Sequence, residues 1–322
     1  MQDILSAKNL KLIEKIGGGS FGEIFEAQDL TTKQELAIKI EKKSIKHPKL
    51  LFEAKLYNYL NKECRSIERQ IPKVYQYTTT DEYNLMVMEL LGPSLERLFS
   101  FCGWHFSLKT VLMLSDQILT RLEFLHSKHF IHRDLKPDNI LIGSGKTSYK
   151  IFLIDFGLAK KFTKNGEHRP FNDQKDYVGT PRFSSLNSHL GYELSRRDDL
   201  ESLGYIMVYF LRGYLPWQDL QAKDKIEKNE KIRELKRKIK VEDLCSGLPV
   251  EFEEYLNYCK GLQFDEEPDY NFLKEKFRRL REKNQYDFDF VYDWNLLMKS
   301  NVVSTKFEEE KNDFSFPETE KL

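Results

Sequence analysis

"FIHRDLKPDNILI" (Phe130 to Ile142) sets the reading of the whole chain, because it places Asp134, Lys136 and Asn139 in one short polar loop between apolar runs. A second acidic position, Asp155 of "LIDFGLAKK", follows an apolar strand twenty-one residues after Asp134. Upstream, residues 9–40 alternate apolar and polar ("KLIEKI", "EIFEAQ", "ELAIKI"), broken by a glycine cluster and by "DLTTKQ". That alternation predicts three antiparallel strands joined by turns. Residues 50–63 place Leu51, Ala54, Leu56, Tyr59 and Leu60 at helical spacing, and "KVYQYTTTDEYNLMVMEL" (73–90) gives two more strands around a polar turn. Beyond "LLGPSL" the pattern is helical, over 107–128, 195–212, 223–239, 249–261 and 270–282. A strand-rich first quarter before a helix-rich remainder predicts an α+β chain of two lobes with a hinge near Leu90 to Pro93.

The bulk composition fits that division. The 322 residues suffice for one large core or two smaller ones, and 40% hydrophobic with 32% charged residues is ordinary for a soluble globular protein. Lys+Arg and Asp+Glu balance at 51 each, so no global field argues for nucleic acid or membrane. One stretch departs from this balance: residues 223–240 hold nine Lys/Arg against four Asp/Glu and read as a solvated helix face. Cys64, Cys102, Cys245 and Cys259 are scattered, as free thiols in a reducing compartment would be. "MQDILSAKNL" lacks the pattern of a signal peptide, and "YIMVYFL" (205–211) is too short to span a bilayer. A cytoplasmic protein is expected, with the nucleus as a second location, and a polar, acidic, mobile tail over 299–322.

The two polar loops resemble the catalytic and metal-binding loops of protein kinases, and chance agreement of both in this order is negligible. The resemblance implies that Asp134 accepts or orients the substrate hydroxyl proton, and that Lys136 neutralises charge on the transferring phosphoryl group. Asn139 and Asp155 would hold Mg²⁺. Asp199 in "RRDDLESLGY" would bond the catalytic-loop backbone from below, a structural task. His126, His129 and His132 recur at three-residue spacing, but no fourth ligand accompanies them and a metal cluster is not expected.

"IGGGSFGEIFEAQ" carries Gly17, Gly19 and Gly22 at GxGxxG spacing. A dinucleotide site needs a helix after the glycines, and here a strand follows; a Walker loop needs Gly-Lys-Ser/Thr, which is absent. What remains is a loop laid over nucleotide phosphates between two antiparallel strands, or a plain hairpin turn. Lys39 in "ELAIKI" lies seventeen residues after Gly22, at the distance for reaching the α- and β-phosphates. Its carboxylate partner is Glu53 of "LFEAKLY", with Glu63 as the alternative.

Within the kinases the chain resembles the casein kinase 1 group of Ser/Thr protein kinases over residues 8 to 298. The likeness rests on "LMVMELLGPSLERLF", "FSLKTVLML", "LHSKHFIHRDLKPDN", "LIDFGLAKK", "SRRDDLESLGY", "LPWQ" and "FDEEPDY". "SLN" (Ser185 to Asn187) in place of Ala-Pro-Glu is a mark of that group. The downstream "EPDYNFL" lacks the Arg that would pair with that Glu, so both halves of the ion pair are missing together. The resemblance implies a bilobal kinase fold, with an ATP-binding N-lobe over 1–91, an antiparallel sheet with one helix, and a mostly helical C-lobe over 92–298. It implies transfer from ATP with Mg²⁺ to protein Ser or Thr, without activating phosphorylation, by a chain expected to be monomeric. The nucleotide site would comprise Ile16, Gly17, Gly19, Gly22, Ile24, Ala37, Lys39, Met88 as gatekeeper, Glu89 to Leu91 as hinge, Asn139, Leu141 and Asp155. Acidic or phosphorylated substrates would meet Arg133, Lys175, Arg182 and Lys228, unless these are merely solvated surface charges.

Four departures stand out. Pro181 replaces a usual Ala, Asp219 replaces a Gly beside the anion pocket, "DKIEKN" (224–229) replaces a basic nuclear-targeting stretch, and the tail is short. A pseudokinase scaffold is the competing reading, and Lys39, Asp134, Asn139 and Asp155 speak against it. A small-molecule phosphotransferase is the third, opposed by the substrate platform "VGTPRFSSLN" (178–187).

Overall fold

The alternating segments form β1 (Leu10–Gly19), β2 (Gly22–Asp29) and β3 (Glu35–Lys42), joined by β4 (Val74–Thr79) and β5 (Tyr83–Glu89) into an antiparallel sheet of order β1-β2-β3-β5-β4. This computed structural model describes residues 9–19, 22–64 and 71–299; the expected acidic tail lies outside them from residue 300 onward. The pairing of β1 with β2 runs through the glycines to Gly19 opposite Gly22, so the glycine cluster belongs to the ladder rather than interrupting it.

Period-2 geometry gives β3 two different faces. Leu36, Ile38 and Ile40 pack with Leu10, Ala27, Leu85 and Val87 in a small core on one side. Ala37, Lys39 and Glu41 point to the other, where Ala37 joins Met86 and Met88 in the main core with helix α1 (Leu50–Glu63). α1 buries Leu50, Glu53, Ala54, Leu56, Tyr57 and Leu60, whereas Leu51 and Tyr59, which share the helical spacing, are exposed. The helix carries apolar residues on more than one side, and packing decides which of them face inward. Glu41 fixes its entry by accepting from the Lys49 amide at 2.7 Å and the Leu50 amide at 3.1 Å, and from Asn84 Nδ2 at 2.9 Å. Buried carboxylate oxygens thus meet the otherwise unpartnered N–H groups of a helix start.

The chain leaves the sheet at Glu89 and enters α2 (Leu95–Phe101), a short helix absent from the sequence reading, capped by Ser94 Oγ on the Arg97 amide. α3 (Leu108–Ser127) and α4 (Arg196–Arg212) are buried along most of their surface, and α5 (Lys225–Lys238), α6 (Val250–Gly261) and α7 (Tyr270–Lys283) complete the mostly helical lobe. α3 packs on α4 and α7, and α4 on α6. Phe99, Phe106, Tyr209, Phe210 and Trp294 form an aromatic centre between α2, α4 and the chain after α7. Among the described residues no helix is long and apolar enough to cross a membrane.

Two small ladders hold the polar loops. β6 (Phe130–Ile131) pairs with β9 (Lys160–Lys161), and β7 (Ile140–Ile142) with β8 (Ile151–Leu153). Residues 132–139 are thereby suspended between β6 and β7, with Asp155 just beyond β8.

Candidate active site

The loop at 132–139 is fixed from beneath by Asp199, in the first turn of α4. Its carboxylate accepts from the His132 amide at 2.7 Å and the Arg133 amide at 2.9 Å, and pairs with His126 Nε2 at 2.8 Å. Burial alone would raise its pKa; the His126 and His132 contacts hold it below the usual carboxylate value. Arg133 takes a left-handed φ of 67°, uncommon for a side-chain-bearing residue and maintained here by this surrounding network. Of the other histidines, His126 also contacts Tyr270 Oη and His132 bonds the Ile154 carbonyl at 2.9 Å, so both rings are engaged in holding the loop.

Asp134 stands at the centre. Its Oδ1 accepts from Thr180 Oγ1 at 2.7 Å and its Oδ2 lies 3.3 Å from Lys136 Nζ. Asn139 Nδ2 donates to the Asp134 carbonyl at 2.9 Å, which directs the amide oxygen the other way. Gly179, with φ +104°, passes so close that a Cβ there would stand 2.8 Å from the Arg133 carbonyl. No side chain fits between the two loops.

Asp155 also has a left-handed backbone, φ 62°, and its amide donates to Tyr57 Oη at 3.0 Å. Tyr57 packs edge-on against Phe156 at 5.0 Å, so one residue of α1 seats both ends of this turn. Lys39 Nζ bridges α1 to it, at 2.8 and 3.1 Å from the Glu53 oxygens and 2.8 Å from Asp155 Oδ1. Burial would lower the Lys39 pKa, but the two carboxylates outweigh it and hold the ammonium above its ordinary value. Burial likewise pushes Glu53 up, opposed by Lys39, while Asp155 is kept low chiefly by Lys39 against its own burial. The alternative partner, Glu63, reaches Lys128 at 3.1 Å instead.

The expected nucleotide residues lie along the sheet and its exit. Gly17 pairs with Ile24, Ile24 with Lys39 and Ala37 with buried Met88, while Leu141 sits on β7. Ile16 is exposed on β1, and Glu89 to Leu91 carry the chain off β5. Gly22 has a structural reason of its own: at φ +136° a Cβ would fall 2.2 Å from the Ile40 carbonyl.

Of the four expected phosphate-reading cations, Arg133 and Lys175 line a pocket of about 200 Å³ with Lys160, a residue the sequence reading missed, and with Glu193, which pairs with Lys160 and lies 3.7 Å from Lys175. Arg182 does not line it; its guanidinium sits 3.6 Å from Glu96 and over the Phe183 and Tyr209 rings. Lys228 is exposed in the first turn of α5.

"SLN" is anchored without an ion pair. Asp198, next to Asp199, accepts from Ser185 Oγ at 2.7 Å, Asn187 Nδ2 at 3.0 Å and the Ser195 amide at 2.7 Å. Burial pushes its pKa up to about 6 against these donors. Glu201 accepts from the Leu186 amide at 3.1 Å. Set against known protein families, residues 10–267 match the protein kinase domain.

Proposed function

The chain belongs to the protein kinase domain family, and on that premise we propose that it is an active Ser/Thr protein kinase of the casein kinase 1 type, transferring the γ-phosphoryl group of ATP to acidic or already phosphorylated proteins. The observation that carries the reading is the continuous set Glu53–Lys39–Asp155 beside Asp134–Thr180, with every contact between 2.7 and 3.1 Å. A scaffold without activity has no need of two buried charges and a half-buried third held together at such a desolvation cost.

The donor set fits ATP with Mg²⁺. Asp155 offers a carboxylate, and the Asn139 amide oxygen is turned away from the bond its nitrogen makes; two hard oxygen ligands suit that ion. When bound, Mg²⁺ supplies charge neutralisation at the phosphate oxygens. Lys39 would hold the α- and β-phosphates, fixed in place by Glu53. Asp134 takes the proton as the acceptor oxygen bonds the γ-phosphorus and the bond to the ADP oxygen breaks, and Lys136 offsets charge on the moving group. The bond from Thr180 Oγ1 orients Asp134 beside the platform and is our reason for favouring hydroxyl acceptors of Ser or Thr.

Constitutive activity is supported by the state of the activation segment. Thr180 is engaged with Asp134, Tyr177 Oη bonds Ser184 Oγ at 2.9 Å, and Thr163 and Ser184 are buried. The basic residues suggest two places for substrate anions, one at Arg133, Lys160 and Lys175, the other at Arg182. Incubation with radiolabelled ATP, Mg²⁺ and casein should place label on serine and threonine, and Asp134→Asn should lower the rate at least about 100-fold at an unchanged thermal midpoint. Absence of label in protein, or full activity of Asp134→Asn, would overturn the proposal.

A further inference from the structure

Lys236 lies in the basic run that reads as a solvated face, yet it is 1% exposed. Its Nζ crosses from α5 to the substrate platform, donating to the Pro181 carbonyl at 2.8 Å and the Ser184 carbonyl at 2.5 Å, with His189 Nε2 at 3.4 Å. The stem and head rest on two aromatic faces, Tyr205 at 4.9 Å and Trp217 at 5.0 Å. Trp217 Nε1 caps the intervening Arg182 carbonyl at 2.7 Å. Three carbonyls of one short segment are therefore held by donors from beyond residue 215.

A buried lysine without a carboxylate at hydrogen-bonding distance is a poor device for stability, since a well-packed apolar residue avoids its desolvation. Burial pushes the amine down to about 7, with only Glu201 opposing. The amine is nevertheless suited to its place in either charge state, because a neutral amine keeps two N–H groups for the two carbonyls. What it secures is geometry. Pro181 follows Thr180, whose hydroxyl bonds Asp134, so that carbonyl is one residue from the threonine that orients the proposed proton acceptor.

We infer that Lys236 is a positioning residue for the acceptor substrate: with Trp217 it clamps the carbonyls of Pro181, Arg182 and Ser184, and so fixes the ledge on which the substrate segment lies and the threonine that orients Asp134. This rests on the protein phosphotransfer proposed above. The partner of the ledge is a protein segment carrying a hydroxyl, and nucleotide binding lies outside its reach.

Lys236→Met keeps the stem and removes the donor. In it, KM for a casein-derived peptide should rise at least about tenfold, with KM for ATP within about twofold of the parent. Hydrogen exchange at the Phe183 and Ser184 amides, which bond the Thr180 carbonyl, should quicken at least about tenfold while amides of α1 are unchanged. Unchanged peptide KM and unchanged exchange in a folded variant would overturn the inference, as would equal loss toward peptide and ATP. Should Lys236→Met fail to fold, Trp217→Phe decides: it removes one indole donor and should give the same split, and no change there would overturn the clamp. If the parent protein labels no serine or threonine, the kinase proposal fails by itself, and the exchange result still judges Lys236.

Discussion

Glu53→Gln separates the ion pair's contribution to chemistry from its contribution to folding. The Glu53 side chain is 2% exposed, and Lys39 Nζ lies 2.8 Å from Oε2 and 3.1 Å from Oε1. The glutamine oxygen can still accept one hydrogen bond, so the loss is the second bond and the charge. A hydrogen bond to a charged group contributes about 1.5–3 kcal/mol, which corresponds to a fall in kcat/KM of about 10- to 150-fold if Lys39 must be held for the transition state. Removing one member of a buried pair costs about 3–5 kcal/mol when the survivor is left alone. Here Asp155 Oδ1 remains 2.8 Å from Lys39, and the repulsion of Glu53 by Asp155 and Glu41 is relieved. The stability change should stay within about 1 kcal/mol, a shift of about 4 °C or less for a chain of this size. Steady-state kinetics with a casein-derived peptide, paired with thermal melts, tests both halves. Activity within threefold of the parent would refute Lys39 as a residue held for catalysis, and a large fall in the thermal midpoint would show the pair to be structural.

Asp198→Ala should lower the thermal midpoint by several degrees, since it strands Ser185 Oγ, Asn187 Nδ2 and the Ser195 amide at about 1–3 kcal/mol for each buried group left unpaired; an unchanged melt would mean that water replaces the carboxylate. Lys236 gives a pH signature against the groups that face it, Glu201 of α4, His189 of the platform and Lys260 of α6. Its folded pKa of about 7 lies below the ordinary 10.5, so between these values the unfolded chain holds the proton that the folded chain has shed. Stability of the parent relative to Lys236→Met should rise through that window, by about 1.4 kcal/mol per pH unit, and be flat below it; urea melts at intervals from pH 6 to 9 would expose a flat difference as a failure.

Motif order and periodicity were sufficient for the five-stranded sheet, most long helices, and the Lys39–Glu53 pairing, because each is a pattern along the chain. Three things were not legible. Leu51 and Tyr59 share helical spacing with buried Ala54, Leu56 and Leu60 yet are exposed, because apolar letters on several sides leave the choice of inward face to the sheet beneath. Lys236 is one of several basic residues in α5, and its partners Pro181 and Ser184 lie more than fifty positions away. Lys160 and Tyr57 reach the site by the same kind of distant contact, which no spacing rule encodes. Spacing likewise does not show which groups the basic residues meet: Arg182 is near Lys175 in sequence, and its guanidinium lies beside Glu96 on α2.

The missing Ala-Pro-Glu corner finds its physical answer in two adjacent carboxylates. Successive residues on a helix point about 100° apart, so Asp198 and Asp199 leave the first turn of α4 in different directions. Asp199 grips the His132 and Arg133 amides of the catalytic loop, and Asp198 grips Ser185 and Asn187 of the platform. Both sit at a helix start, where backbone N–H dipoles favour negative charge. Neither carboxylate needs an arginine. The charge of Asp198 is met by hydroxyl, amide and backbone donors, and its pKa, raised to about 6 by burial, reflects the lack of a cation there. An amine also reaches the platform, through Lys236, and it bonds carbonyls rather than a carboxylate. One end of a buried helix thus refers the catalytic loop and the substrate ledge to the same rigid frame, and the ion pair that other kinases place at this corner becomes dispensable.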